Sequence, residues 1–261
     1  NADRLVKSIA NASVPTYNND YSGTGADHDL SAYTAIGAAD EDIITEYDYD
    51  AAGNLVKTVD PLGMVSFIVY DALNRPVKTV TSAKDAATIE YDANHASYSA
   101  ANDPRSASYS PSSAADRDLI EVMEYDPVGR IRRVQDTLGR WTLFGYDELG
   151  RQVKVIRSAS NPTYSATVDL SGYTPSSDAD QDIILVNQYD DNSRILYNEL
   201  YPGTTLQRRV WTAYDGLGRQ VRSIVNAVGT ATDGGTNDPR SASYIQSSAS
   251  DKDLVGIAYY D

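Results

Sequence analysis

Apolar and polar residues alternate with a near two-residue period through short stretches such as LVKTV at 55–59, VKTV at 77–80 and VKVI at 153–156. That period places alternate side chains on opposite faces of a pleated chain and predicts half-buried strands, not helices. The segments before these stretches are copies of one another: YDAAGN from Tyr49, YDALNR from Tyr70, YDPVGR from Tyr125, YDELGR from Tyr146, YDDNSR from Tyr189 and YDGLGR from Tyr214. A hairpin turn accounts for the pattern. The Asp carboxylate caps the turn, two residues cross over, and the fourth position needs positive φ before the next strand. Gly53, Gly129, Gly150 and Gly218 meet that need and Asn74 tolerates it, whereas Ser193 departs from it, so its turn is expected to be atypical.

The spacing between copies alternates. Short units at 49–70, 125–146 and 189–214 hold two strands and a second turn, written Asp60-Pro61-Leu62-Gly63, Asp136-Thr137-Leu138-Gly139 and Tyr201-Pro202-Gly203. Long units at 1–48, 70–125, 146–189 and 214–261 replace that second turn by an excursion. The excursions fall into two subtypes: NDPRSASY occurs at 102–109 and again at 237–244, while Pro15-Thr16-Tyr17 with Asp29-Leu30-Ser31 resembles Pro162-Thr163-Tyr164 with Asp169-Leu170-Ser171. They share an exit, in which Tyr33, Tyr109, Tyr173 and Tyr244 are each followed seven and nine residues later by an Asp-x-Asp pair. Stretches 43–47 and 119–125 read as strands leading back into the repeat, and short helical turns are expected around 112–116 and 176–180. The fold class is therefore all-β: an extended antiparallel array of hairpins with long loop insertions.

Composition narrows the function. Twenty Tyr against 2 Phe, 2 Trp and 2 Met suit half-buried sheet faces better than a thick apolar core. A net charge of -15 repels phosphate backbones, which argues against nucleic acid as a partner. No cysteine is present, so disulfides, thiolate metal sites and thiol nucleophiles are excluded. No apolar run approaches the roughly 20 residues of a membrane span, and residues 1–7 lack the apolar core of a secretion signal. Residues 1–7 also resemble a repeat without its Tyr-Asp, and the sequence stops at Tyr260-Asp261, so head fits tail. The expectation is one uncapped array over 1–261, a slice of a longer one, whose partners are other copies or flanking repeats joined head to tail.

The Asp-x-Asp pairs are the main candidates for chemistry. Asp40 and Asp42, Asp116 and Asp118, Asp180 and Asp182, and Asp251 and Asp253 present two hard oxygen ligands at the spacing calcium loops use, though the third alternating position carries no carboxylate. The alternative is a capped turn, in which the first Asp accepts backbone N–H bonds and the second begins a strand. His28 and His95 both lie in excursions, far apart in sequence, and a catalytic or metal role for either needs other partners. Asn11-Ala12-Ser13 is a lone glycosylation sequon. Repetition gives many equivalent carboxylates where a hydrolase needs one unique pair, so no enzyme and no cofactor other than calcium is expected. The repeat tyrosines Tyr70, Tyr125, Tyr146, Tyr189 and Tyr214 fit either cross-strand packing or a stacked ladder that binds sugar rings.

The Y-D-x-x-G-R turn, the V-K-x-V strand and the D-P-L-G or D-T-L-G turn together resemble the YD-repeat, or Rhs-repeat, proteins. The resemblance covers the strands and turns but not the excursions. It implies a spiralling β-sheet wall in large secreted or surface proteins of bacteria, with relatives in the animal teneurins. In polymorphic toxins and toxin complexes such a wall houses a toxic domain released by aspartyl self-cleavage. The cleavage pattern is missing here, since Leu55 and Glu121 stand where it would carry an upstream proline. The leading expectation is a structural, non-enzymatic wall segment of a shell, tube or filament; the alternative is an adhesive module whose excursions bind a glycan or a protein.

Overall fold

The computed structural model describes residues 5, 7–10, 43–83, 99–106, 108–113, 117–165, 167–178, 180–225, 238, 241, 244–245 and 254–260. These form fourteen strands and no helix, so the chain is all-β. It divides into two compact units, Asn1–Met123 and Glu124–Asp261. The first holds β1 (Lys7–Ala10), β2 (Ile43–Tyr49), β3 (Leu55–Val59), β4 (Val65–Tyr70), β5 (Pro76–Thr81) and most of β6 (Leu119–Tyr125). The second holds β7 (Ile131–Gln135), β8 (Trp141–Tyr146), β9 (Gln152–Arg157), β10 (Ile183–Tyr189), β11 (Ile195–Pro202), β12 (Arg208–Tyr214), β13 (Gln220–Val225) and β14 (Leu254–Ile257). In each unit the strands pair antiparallel with their neighbours in sequence, an open meander whose strand order is the chain order.

The hairpins follow from the turn chemistry. At the Tyr146 turn the Gly150 N–H bonds the Asp147 carbonyl at 3.0 Å and the Asp147 N–H bonds the Arg151 carbonyl at 3.0 Å, closing a type I turn followed by one left-handed residue. The Asp147 carboxylate accepts from the N–H groups of Leu149 at 3.0 Å and Arg151 at 2.8 Å. Gly53, Gly129, Gly150 and Gly218 have φ of 95°, 94°, 80° and 80°, as the repeat requires. The extra residue appears as a register shift before Tyr49, Tyr70, Tyr146, Tyr189 and Tyr214. The Ser193 turn, expected to be atypical, is built like the others, with φ of 61° at Ser193 and the same two backbone bonds. A tertiary contact explains this: Arg151 Nη1 of the preceding repeat turn donates to Ser193 Oγ at 3.1 Å. Asn74 is held the same way, its Oδ1 accepting from Asn54 Nδ2 at 3.0 Å.

The second turns at 60–63 and 136–139 repeat this geometry, with φ of 74° at Gly63 and 80° at Gly139. The third differs. β11 continues to Pro202, and the chain returns after Gln207 N–H bonds the Leu200 carbonyl at 2.9 Å. Of the places where short helical turns are expected, residues 114–116 and 179 lie outside the described residues; beside the second a single turn closes from Gln181 N–H to the Asp178 carbonyl at 3.3 Å.

The core is a thin layer on one sheet face, arranged as cross-strand rows. Phe67, Val80 and Ile120 lie opposite one another on β4, β5 and β6. Leu143, Ile156, Ile184 and Tyr201 make a row across β8 to β11, and Trp211, Ile224 and Val255 one across β12 to β14. The excursions seal each row from above: Tyr109 packs on the first, Leu170 and Tyr173 on the second, and Tyr244 on the third. Each fully covered Leu, Ile or Phe contributes about 1.5–3 kcal/mol.

Candidate functional site

Two side-chain systems recur, one along the turns and one where the excursions leave and rejoin the sheet. In the first, the turn Arg bonds its own Asp and lies over the tyrosine that introduces the next repeat turn. Arg130 Nε donates to Asp126 Oδ2 at 2.7 Å and its guanidinium stands 4.4 Å from the Tyr146 ring. Arg151 with Tyr189, Arg194 with Tyr214 and Arg219 with Tyr260 repeat the arrangement at 4.7, 4.5 and 4.5 Å. Each tyrosine hydroxyl donates to a backbone carbonyl beside the earlier turn: Tyr146 to Ile131 at 2.8 Å, Tyr189 to Gln152 at 2.9 Å, Tyr214 to Ile195 at 3.0 Å. One face of each of the Tyr146, Tyr189 and Tyr214 rings is thus covered by a guanidinium, which is a packing role. Burial alone would raise the Asp126, Asp147 and Asp190 carboxyls; the N–H and guanidinium bonds from Arg130, Arg151 and Arg194 outweigh it and hold them below the ordinary carboxylate value.

The second system is the excursion neck. β9 ends at Arg157, opposite Ile183 of β10, and the pair just beyond is Ser158 and Asp182. Both residues are left-handed, with φ of 51°, and Asp182 N–H bonds the Ser158 carbonyl at 3.1 Å. Asp182 is wholly buried. Its carboxylate accepts from Tyr173 Oη at 2.5 Å, Ser160 Oγ at 2.6 Å, Ser176 N–H at 2.7 Å and Ser160 N–H at 2.9 Å. Burial pushes this carboxyl up, but the bonds from Ser160, Tyr173 and Ser176 prevail and set it below its ordinary value. Burial, reinforced by the bond to Asp182, raises the Tyr173 hydroxyl.

The same neck stands in the first unit. Ser82 and Asp118 have φ of 54° and 50°, Asp118 N–H bonds the Ser82 carbonyl at 3.0 Å, and the Asp118 carboxylate accepts from Tyr109 Oη and from Ser112 N–H. A strand cation then pins the excursion above the face. Lys78 Nζ reaches the Ser106 carbonyl at 3.5 Å, Lys154 Nζ the Leu170 carbonyl at 2.9 Å, and Arg222 Nη1 the Ser241 carbonyl at 3.3 Å. In all three the carbonyl belongs to the residue three before the anchoring tyrosine, whose N–H bonds that same carbonyl. Burial lowers Lys78 and Lys154, partly offset by nearby carboxylates.

Of the Asp-x-Asp residues, the structure places Asp118 and Asp182 in necks and Asp180 on the surface, its N–H donating to Asp178 Oδ1 at 3.0 Å. Asp40, Asp42, Asp116, Asp251 and Asp253 lie outside the described residues, as do His28, His95, the sequon at Asn11 and both termini. Among the described residues, no group of three or more His, Asp or Glu stands close enough to hold a metal. A further buried acid, Glu199, is taken up by its cross-strand partner Arg209 and by Tyr201 Oη at 2.8 Å. Burial and that bond push the Tyr201 hydroxyl up to about 12.

The turn with its tyrosine and its strand cation is the unit that recurs along the described segments. The RHS Repeat family matches residues 49–87 and 125–162. Those two segments are RHS repeats. Among solved structures, it is similar to TcdB2-TccC3-Cdc42 at 14% identity and a TM-score of 0.47, over 77% of this chain and 8% of that one. TcdB2-TccC3 alone gives 13% identity and a TM-score of 0.47 over 82% and 8%. A Tc holotoxin pore of Photorhabdus luminescens gives 13% and 0.35 over 78% and 10%. The chain thus spans about a twelfth of the length of the first two. No curated protein matches the sequence.

The RHS strands and turns were legible in the sequence; the necks were not. A signal was present, because a Ser-Ala or Asn-Ala step follows the strand before each excursion: Asn11-Ala12, Ser82-Ala83, Ser158-Ala159 and Asn226-Ala227. Asn and Ser are among the residues that tolerate the left-handed region, and at the two described steps Ser82 pairs with Asp118 and Ser158 with Asp182, the second Asp of the pair that closes the excursion. Gly145 also escaped notice. A Cβ there would stand 2.6 Å from the Asp169 carbonyl oxygen, so only glycine lets the excursion lie down on β8.

Proposed function

We propose that this chain is a structural, non-enzymatic segment of a β-sheet wall in a large secreted or surface protein, built as a shell, tube or filament. The observation that carries the reading is saturation. The repeat acids Asp126, Asp147, Asp190 and Asp215 are bonded to their own turn and its arginine, and the buried acids Asp182 and Glu199 are bonded within the sheet and its excursions. A catalytic site keeps a reactive group poised and accessible; these groups are spent on holding geometry, and the same geometry recurs from repeat to repeat. On this reading the second Asp of each Asp-x-Asp pair clasps an excursion instead of binding calcium, and the partners are flanking repeats or further copies, joined end to end by strand pairing. Negative-stain microscopy of the native assembly tests it. Extended ordered walls of uniform thickness are the expected result, and dispersed monomers with glycan-dependent clustering would instead favour an adhesive module.

A further inference from the structure

The two faces of the sheet in the second unit differ in charge. Residues 158–182 and 226–253, its two excursions, hold eight acids against two bases, a net of -6, whereas the rest of the unit holds ten against twelve, a net of +2. The described excursion residues that pack on the sheet, Leu170, Tyr173 and Tyr244, lie on the core face. The strands β7 to β14 contain one acid, Glu199, and it lies on that same face, bonded to Arg209 and two residues from Tyr201. The opposite face of these strands therefore carries no carboxylate.

That bare face has an apolar row of its own. Phe144, Val155, Leu185 and Leu200 stand opposite one another across β8 to β11. The row ends in arginine on both sides: Arg208 of β12 pairs with Leu200, and Arg132 of β7 lies one step beyond the Arg133–Leu143 pair, beside Phe144. Arg157 flanks it, two residues along β9 from Val155. Among the described residues none of these three arginines has a carboxylate partner, whereas Arg130, Arg133, Arg151, Arg194, Arg209 and Arg219 are all paired. In a chain of 37 acids and 22 bases, unpaired cations gathered on one face mark where an anionic surface gains most.

The excursions are such a surface. Asp178 and Asp180 are exposed on one, and Val168 and Ile245, 62% and 86% exposed, set an apolar residue on each. Two bare faces together oppose arginine to arginine, and two excursion faces oppose acid to acid; only a back-to-front arrangement of copies brings unlike charges together. Eight strands about 4.8 Å apart and roughly 19 Å long offer about 600 Å² a side, which for two partners reaches the lower bound of a stable specific interface.

We propose that the bare face of the second unit docks on the excursion face of a second copy of this chain, its apolar row against Val168 and Ile245 and its arginines against excursion acids such as Asp178 and Asp180. End-to-end strand pairing extends one sheet; this contact stacks sheets in layers.

Sedimentation at low salt tests it on the parent, R157E/R208E, D180K and an equimolar mixture of the two variants. The three substituted side chains are exposed and make no bond among the described residues, so both variants should melt with the parent. Each variant alone should associate about ten-fold more weakly than the parent, the mixture should recover, and added salt should weaken the association of the parent. Equal association in all four samples is end-to-end pairing alone and would overturn the proposal. So would a loss in R157E/R208E without a loss in D180K, which assigns the bare face to a copy of itself or to a different anionic partner. The inference rests on the array reading only in taking the partner to be another copy, and it fails separately: ordered single-layer walls in micrographs, with equal sedimentation of the four samples, remove the stack and leave the wall.

Discussion

Asp182→Ala is the most informative single substitution, because one buried carboxylate holds four donors from three places in the excursion. On its removal, the hydroxyls of Ser160 and Tyr173, 3.4 Å apart, can turn toward each other. The N–H groups of Ser160 and Ser176 have no such freedom, and leaving two donors unsatisfied costs about 1–3 kcal/mol each. Alanine at φ of 51° adds about 1 kcal/mol. The sum is about 4 kcal/mol, a large part of the stability of a domain this size. Asp182→Asn keeps the tolerance for positive φ and one acceptor oxygen, and should cost about 2 kcal/mol. Tyr173→Phe loses the charged hydrogen bond to Asp182 and the one its oxygen accepts from the Asn161 N–H at 3.2 Å; Asn161 is exposed, so water takes up that donor and the cost is about 1.5 kcal/mol.

Urea unfolding followed by the fluorescence of Trp141 and Trp211, with limited proteolysis of residues 158–182, reads that order. The pH dependence gives an independent check. The Asp182 carboxyl is depressed in the folded protein, so its contribution is complete above the unfolded carboxylate value near pH 4 and is lost as pH falls through the lower folded value. Asp182→Asn has no such proton to take up, so the stability gap between it and the parent should narrow below pH 4. A gap that stays constant down to pH 3, or an Asp182→Asn cost no larger than that of the exposed Asp191→Asn, would refute the clasp.

Gly145→Ala should lower stability by about 2 kcal/mol and expose the excursion at 158–182 to protease, since the new Cβ meets backbone that must move; an unchanged cleavage pattern would refute the close approach. Ser193→Gly should stabilise by about 0.5 kcal/mol, relief of φ at 61° outweighing the lost exposed bond from Arg151, whereas Gly150→Val should destabilise by more than 1 kcal/mol; thermal melts compare the two. Thermal melts in calcium and in sodium at matched ionic strength should coincide if the neck aspartates are clasps, and a rise specific to calcium would restore the metal reading.

What the sequence made legible was whatever one residue must do for its own backbone. A glycine with positive φ, an aspartate capping the turn and alternation along a strand are local demands, and β3, β6 and the turns at Gly53, Gly129, Gly150 and Gly218 lie where those demands put them. Ser193 was misjudged because its left-handed turn is supported by Arg151 from the preceding repeat turn, a partner no local rule supplies. The neck was missed for the same reason on a larger scale. Asp182 is bonded to Ser160, which lies across the whole excursion, and only the fold brings them together. Reading the Asp-x-Asp pair as a local loop offered calcium or a turn cap, while the tyrosine nine residues earlier, noted as a fixed landmark, is the donor that defines the site.

The neck also explains why excursions of unequal length occur in one array. Thr81 pairs with Leu119 and Arg157 with Ile183 as if the two strands were joined by a tight turn, because Ser82 with Asp118 and Ser158 with Asp182 close the ladder before the chain departs. The excursion at 82–118 is roughly half as long again as that at 158–182, yet this difference changes the loop-closure cost by only about 0.4 kcal/mol. One buried tyrosine–aspartate bond exceeds that several-fold. Length is therefore nearly free once the ends are clasped, and what the sequence must keep is the clasp: a residue that tolerates the left-handed region, Ser or Asn, at the opening, an Asp at the close, a tyrosine nine residues before it and a cation on the strand beneath. An excursion that keeps these four can differ elsewhere without disturbing the register of the strands on either side, which is how NDPRSASY and its counterpart subtype come to sit on the same kind of repeat.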